Sequence, residues 1–123
     1  MESTAETPAP GLVVHQPRRG FRYAAEAFWM VGFAMERGRP ATVLDLGTGS
    51  GIMAALFARL GATAHGVDIR PEWEPLWART LQASPALEGR LTLALGDLVT
   101  ANLPTAELVI SNPPFFPAGS GPA

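Results

Sequence analysis

Cysteine and lysine are both absent from the 123 residues, and no apolar run approaches the roughly 20 residues that a membrane helix requires. A disulfide framework and a membrane-spanning helix are therefore excluded. The redox compartment stays open, because a cysteine-free chain suits any of them. An excess of one charge is lacking too: nine basic residues against eleven acidic ones give a formal charge of -2. A surface binding nucleic acid over its whole extent is ruled out, so any such contact must be local. Residues Met1 to Pro10 carry Glu2 and Glu6 but neither a basic flank nor an apolar core, so they are no secretory signal. They are expected to form a disordered acidic tail on a cytoplasmic protein. What is present, 47% hydrophobic and 16% charged residues, suits one small domain that buries about 65% of its unfolded surface. Every basic residue is arginine, the side chain fitted to bidentate or stacking contacts.

No repeat or low-complexity stretch interrupts Gly11 to Phe116, the expected domain, and the Pro- and Gly-rich residues 117–123 are expected to be a flexible end. Ala24, Ala27, Phe28, Val31, Ala34 and Met35 recur at helical spacing within Tyr23 to Arg37, and Gly38 and Pro40 stop the helix. Thr42 to Leu46 lacks polar alternation, as expected of a strand buried on both faces of a parallel sheet. A glycine loop, Gly47 to Gly51, then leads into an apolar helix from Ile52 to Leu60 that Gly61 ends. A second strand, Thr63 to Val67, finishes in Asp68, and a helix with proline in its first turn spans Pro71 to Ala83, carrying Trp73, Leu76, Trp77 and Leu81. Leu91 to Leu95 and Glu107 to Ser111 are further strands. Strands alternating with helices define a doubly wound α/β sheet, whose ligand sits at the carboxyl ends of the strands. Asp45 to Gly51, Asp68, Asp97 and Asn112 all fall at such ends.

Glycines directly after a strand allow a tight turn and close approach of the backbone to a ligand. A dinucleotide is one candidate, because Asp68 lies about 20 residues beyond the loop, where a ribose-binding acid belongs. Two details disfavour it: the third glycine of G-x-G-x-x-G would fall on Ile52, and Asp45 stands two residues before Gly47. A carboxylate there repels a pyrophosphate and suits a ligand carrying positive charge. After the last strand comes Ser111-Asn112-Pro113-Pro114-Phe115-Phe116. Two prolines withhold two N–H donors, so the turn offers carbonyls and the Asn112 side-chain oxygen as acceptors for an amino group. Phe115 offers a flat face on which a heteroaromatic ring can stack. His15 and His65 lack any metal-ligand spacing, and they read as a loop residue and a strand residue; no metal is called for.

Asp45-Leu46-Gly47-Thr48-Gly49-Ser50-Gly51 resembles the first motif of the class I S-adenosylmethionine-dependent methyltransferases. The resemblance implies the N-terminal half of their Rossmann-like sheet, strands in the order 3-2-1-4 with a preceding helix. It implies S-adenosyl-L-methionine as cofactor, held by Asp45, Gly47, Thr48, Gly49, Gly51, Asp68, Asp97 and Leu98. Within it Asp68 would accept the two ribose hydroxyls and Asp97 would face the adenine. The Asn-Pro-Pro-Phe turn is similar to the N-P-P-[YF] motif of members that methylate planar amino nitrogens. Asn112, Pro113 and Phe115 are the catalytic candidates: Asn112 Oδ1 and the Pro113 carbonyl accept the amino hydrogens and Phe115 holds the ring.

His15-Gln16-Pro17-Arg18-Arg19-Gly20-Phe21-Arg22-Tyr23 resembles the Q-P-[KR]-[KR]-G-[YF]-R-[FY] segment of bacterial tRNA1(Val) adenine-37 N6-methyltransferases. The match implies tRNA as partner, with Arg18, Arg19, Arg22 and Phe116 as substrate contacts. Guanine N2 of ribosomal RNA and a protein glutamine amide are the alternative acceptors, and a non-catalytic cofactor-binding remnant is an alternative of another class. The helix after Asp68 departs from that family: it reads WARTLQA where A-x-x-N is usual. The ending PAGSGPA falls where roughly half of such a domain would follow, so a C-terminally truncated member is expected. Leu108, Val109 and Ile110 would then form an exposed apolar edge through which the chain self-associates.

Overall fold

The structure, a computed structural model, describes residues 3–17, 25–98, 100 and 102–111. Its centre is β3 (Thr42–Leu46), with Val43, Leu44 and Asp45 buried. On one side β3 pairs in parallel with β4 (Thr63–Asp68) and on the other with β6 (Leu108–Ser111), while β4 pairs in parallel with β5 (Leu91–Leu95). The order β5-β4-β3-β6 is the expected 3-2-1-4 arrangement of a doubly wound sheet. Its direction reverses at β3, between β4 and β6, and that switch point opens a crevice at the carboxyl ends. Glu107 fixes where β6 begins: its amide donates to the Thr42 hydroxyl at 2.9 Å and its side chain accepts from Ala41 N at 3.0 Å.

Helix α2 (Ile52–Arg59) is buried from Ile52 to Ala58, with Phe57 1% exposed. An apolar run on every side suits a helix enclosed by others. It is covered by the sheet, by α1 (Ala25–Met35) and by an N-terminal hairpin. Ala27 and Val31 turn α1 into that core, but Phe28 is 37% exposed, so the stripe is narrower than its spacing predicts. The single helix expected over Pro71 to Ala83 is divided. A 3-10 turn at Pro71–Trp73 precedes α3 (Glu74–Ala83), because Pro75 has no N–H with which to extend a continuous α-helical ladder back to Pro71.

Residues 3–9 are not the disordered tail that composition predicts. Ser3–Ala9 forms β1, antiparallel to β2 (Leu12–Pro17), and Gly11 (φ 79°) turns between them. His15 thus lies in a strand, not a loop. Leu12, Val14 and Gln16 are buried along one face of β2, the period-2 pattern of a half-buried strand. Polar contacts with α3 fix β2: Val13 N donates to Ser84 Oγ at 2.9 Å, Ser84 Oγ donates to Val13 O at 3.0 Å, and His15 N donates to Thr80 Oγ1 at 2.8 Å. The register shifts between Glu6 and Ala9, where Pro8 is accommodated as prolines are at bulges. Residues 117–123, expected to be flexible, lie outside the described residues.

Candidate active site

The cofactor-site candidates converge because four parallel strands end side by side. Leu46 is in register with Val67 and Ser111, and Asp68 with Leu95. Gly96 N donates to Asp68 O at 2.9 Å, which ties the approach to Asp97 to the end of β4. Asp97 and Leu98 are exposed there, as is Ile69, 62% exposed, a residue that no motif marks. Leu98 and Ile69 directly follow the two acids and offer apolar surface that a flat ring could cover.

Asp45 is fully buried at the centre of this end. Its Oδ2 accepts from the Thr48 hydroxyl at 2.7 Å, and its Oδ1 has no hydrogen-bond partner. Burial is the largest influence on its carboxyl and pushes the pKa up to about 7. The Thr48 hydroxyl and the Ala54 amide pull the other way, the latter without closing a bond of ordinary geometry, and the charge of Asp68 adds to the rise. A buried acceptor without a donor is costly, and a cationic group reaching it would relieve that cost. Gly66, in register with Asp45, makes the arrangement possible, since a Cβ there would stand 2.5 Å from Thr48 Oγ1 and 2.8 Å from Leu93 Cδ2.

The glycine loop behaves differently from a phosphate cradle. Gly47 N and Thr48 N both donate to Val67 O, at 2.8 and 2.9 Å, and Gly51 N donates to Thr48 O at 2.9 Å. Gly49 N donates to Asp68 Oδ2 at 2.9 Å, and Asp68 Oδ1 accepts from Arg70 N at 3.0 Å. With these amides engaged inside the protein, the loop has few left for a pyrophosphate, whereas each Asp68 oxygen keeps a lone pair for a hydroxyl. The dinucleotide alternative loses its main contact.

Two features of the site have no local sequence signal. Trp77, 3% exposed, donates its indole N–H to Gly49 O at 2.7 Å across 28 positions. Trp73 packs with Leu76, Trp77 and Leu93 behind the loop. Helical spacing marks both tryptophans as buried, but not what they touch. At the other edge of the crevice, Ser111 Oγ donates to Leu46 O at 2.9 Å, so the chain leaves β6 beside the start of the glycine loop. Asn112, Pro113, Phe115 and Phe116 follow in sequence and lie outside the described residues, as do Arg18, Arg19 and Arg22. Among the described residues no group of three or more His, Asp or Glu side chains could hold a metal ion, and no helix is long and apolar enough to cross a membrane.

A parallel sheet of this order, with a buried acid ahead of a glycine loop whose amides are engaged and a second acid at the next strand end, fits the methyltransferase class. Residues 19–107 match the methyltransferase domain family, and the chain belongs to it. The release factor glutamine methyltransferase of Rhodospirillum rubrum is 39% identical over 89 residues, covering 71% of this chain and 27% of that protein. The tRNA1(Val) (adenine(37)-N6)-methyltransferase of Edwardsiella ictaluri is 34% identical over 128 aligned positions, covering 89% of this chain and 51% of that protein. The chain thus spans between about a quarter and a half of these relatives' length. Among solved structures, the Pyrococcus abyssi tRNA (uracil-54, C5)-methyltransferase in complex with S-adenosyl-L-homocysteine superposes with a TM-score of 0.70 at 16% identity, over 93% of this chain and 29% of that one. The last likeness is one of fold. S-adenosylmethionine fits the residues present: it is cationic and free of phosphate, as the orphaned Asp45 Oδ1 and the engaged loop amides require, and its ribose diol matches the acceptor capacity of Asp68.

Proposed function

We propose that this chain carries the cofactor-binding and catalytic motifs of an S-adenosylmethionine-dependent N-methyltransferase acting on the N6 amino group of an adenine in tRNA. The observation that carries the cofactor part is Asp45, buried with one unpartnered carboxylate oxygen. For the acceptor, the support is the Asn112-Pro113-Pro114-Phe115 sequence directly after β6, together with the arginine-bearing segment from His15 to Tyr23. Such a role belongs in the cytoplasm, where tRNA is found.

The cofactor, when bound, supplies a methyl group already activated on a sulfonium, so positioning provides much of the rate. Asp68 would hold its ribose diol, Asp97 and Leu98 would border its base, and Asp45 would balance its positive charge. Asn112 Oδ1 and the Pro113 carbonyl would accept hydrogen bonds from the two amino hydrogens, freeing the nitrogen lone pair to take the methyl group, and one of those protons would leave to solvent. Phe115 would stack on the acceptor ring, and Phe116 is a further candidate contact to the substrate. Arg18, Arg19 and Arg22 contact tRNA phosphates.

The second reading is methylation of a protein glutamine amide, favoured by the 39% identity to a release factor glutamine methyltransferase. A glutamine amide presents the same planar NH2 group, so the Asn112 and Pro113 acceptors serve either substrate. Transfer of labelled methyl to unmodified tRNA and to release factor, followed by nucleoside and amino-acid analysis, separates the two. Label recovered as N6-methyladenine and lost with Asn112→Ala supports the first reading. Label in methylglutamine replaces it with the second. Cofactor binding without transfer to either acceptor overturns both and leaves a non-catalytic binding protein.

A further inference from the structure

The strongest feature outside the motifs is the grip of α3 on the middle glycine of the loop. Gly49 is held through both of its peptide groups: its N–H donates to Asp68 Oδ2 at 2.9 Å, and its carbonyl accepts from Trp77 Nε1 at 2.7 Å. It sits at φ +57°, a conformation that an unrestrained loop would readily leave. Indole is a donor only and its ring is rigid. Trp77 is 3% exposed and packed with Trp73, Leu76 and Leu93, so the direction of that N–H is set by the core rather than by solvent. The oxygen of Gly49 is thereby kept on α3, and its amide is left to face Asp68.

We propose that Trp77 is a positioning residue for the cofactor site, acting through Gly49 to orient the Asp68 carboxylate toward the ribose hydroxyls. The inference rests on the cofactor reading above and adds to it a contact from outside the motifs, the indole N–H of Trp77 on the Gly49 carbonyl. The same face of α3 holds β2 through Thr80 and Ser84, so the helix anchors the loop on a rigid element rather than on solvent-exposed chain.

The test is a double-mutant cycle on the full chain, with S-adenosyl-L-homocysteine as the probe in titration calorimetry. Trp77→Phe removes the N–H and keeps an aromatic ring, and replacement of Trp77 by benzothienylalanine removes it at nearly unchanged shape. Each is made in the wild-type and Asp68→Asn backgrounds, with melting temperatures measured alongside. The expected result is a roughly three- to tenfold loss of affinity in the wild-type background, of the size of one hydrogen bond. In the Asp68→Asn background the loss should be nearly absent. Unchanged affinity in a folded benzothienylalanine protein overturns the proposal. So does an equal loss in both backgrounds, which would assign Trp77 to packing alone. Should wild-type protein fail to bind the probe, the cofactor reading itself falls, an outcome distinct from either of these.

Discussion

Asp45 determines much of the chemistry, and its burial moves its titration toward neutral pH. Its carboxyl has a pKa pushed up to about 7 by burial, against 3.8 in the open chain. The folded form therefore holds the proton more tightly than the unfolded one. Its contribution to stability is full below the ordinary carboxylate range, declines as pH rises toward about 7, and is level beyond. Asp45→Asn should remove this slope: relative to wild type, the ligand-free variant gains stability as pH is raised from 4 to 7, by an amount on the order of a few kcal/mol. Thermal melts of both proteins across that range would show it, and parallel curves would contradict it. Ligand binding should respond oppositely. A cation prefers the ionised carboxylate, so affinity for S-adenosylmethionine should rise as pH approaches 7 and then level off, with proton release visible in buffers of different ionisation enthalpy. Gly66→Ala should also act here, because the added methyl meets the Thr48 hydroxyl; a loss of about 1–3 kcal/mol is expected from overpacking, read by chemical denaturation. Asp45 was legible because it stands just before the glycine motif, and Asp68 because it ends the next strand, about 20 residues beyond the loop. Gly66 and Trp77 were not, since their roles arise from partners brought together only by the sheet and by α3.

At the scale of elements, the sheet was readable and the hairpin was not, for a common physical reason. Strands such as Thr42–Leu46 and Leu91–Leu95 are mostly apolar or β-branched, lack polar alternation, and are bounded by glycine, proline or charge, so composition marks them. The strand Ser3–Ala9 reads STAETPA and has no such signal. It pairs with β2, which is anchored through Leu12 and Val14 in the core and through Ser84 and Thr80. Arg59 Nε adds a bond to Pro10 O at 2.6 Å at the turn. The double substitution Thr80→Ala with Ser84→Ala should release both strands together. Val13 and His15 would lose their amide acceptors, at a cost of about 1–3 kcal/mol for each group left buried and unpaired. Hydrogen exchange should then quicken at Val13 and His15 while β3 and β4 amides stay protected. Unchanged exchange at those two amides would show that β2 is held by its apolar contacts alone.

At the scale of the molecule, the far edge of β6 faces outward, for among the described residues this strand pairs only with β3. Val109 is 54% exposed, and Met30, Phe33 and Ala34 of α1 line an open apolar groove with Leu108 and Ile110. Trp29 adds a further indole, 72% exposed. An apolar strand edge is a template for another strand, and antiparallel pairing of two copies of β6 is self-complementary. The chain alone should therefore form dimers or larger species in light scattering, shifted toward monomer by Val109→Lys. A monodisperse monomer at high concentration would contradict this. For the cofactor crevice, competition between ligands is the decisive experiment. With Asp45 ionised above pH 7, the chain should bind S-adenosylmethionine and S-adenosyl-L-homocysteine in equilibrium dialysis, and an excess of NAD should displace neither. Binding of NAD in preference to either would mean that the glycine loop does receive phosphate, and the account built on Asp45 and the engaged loop amides would be wrong.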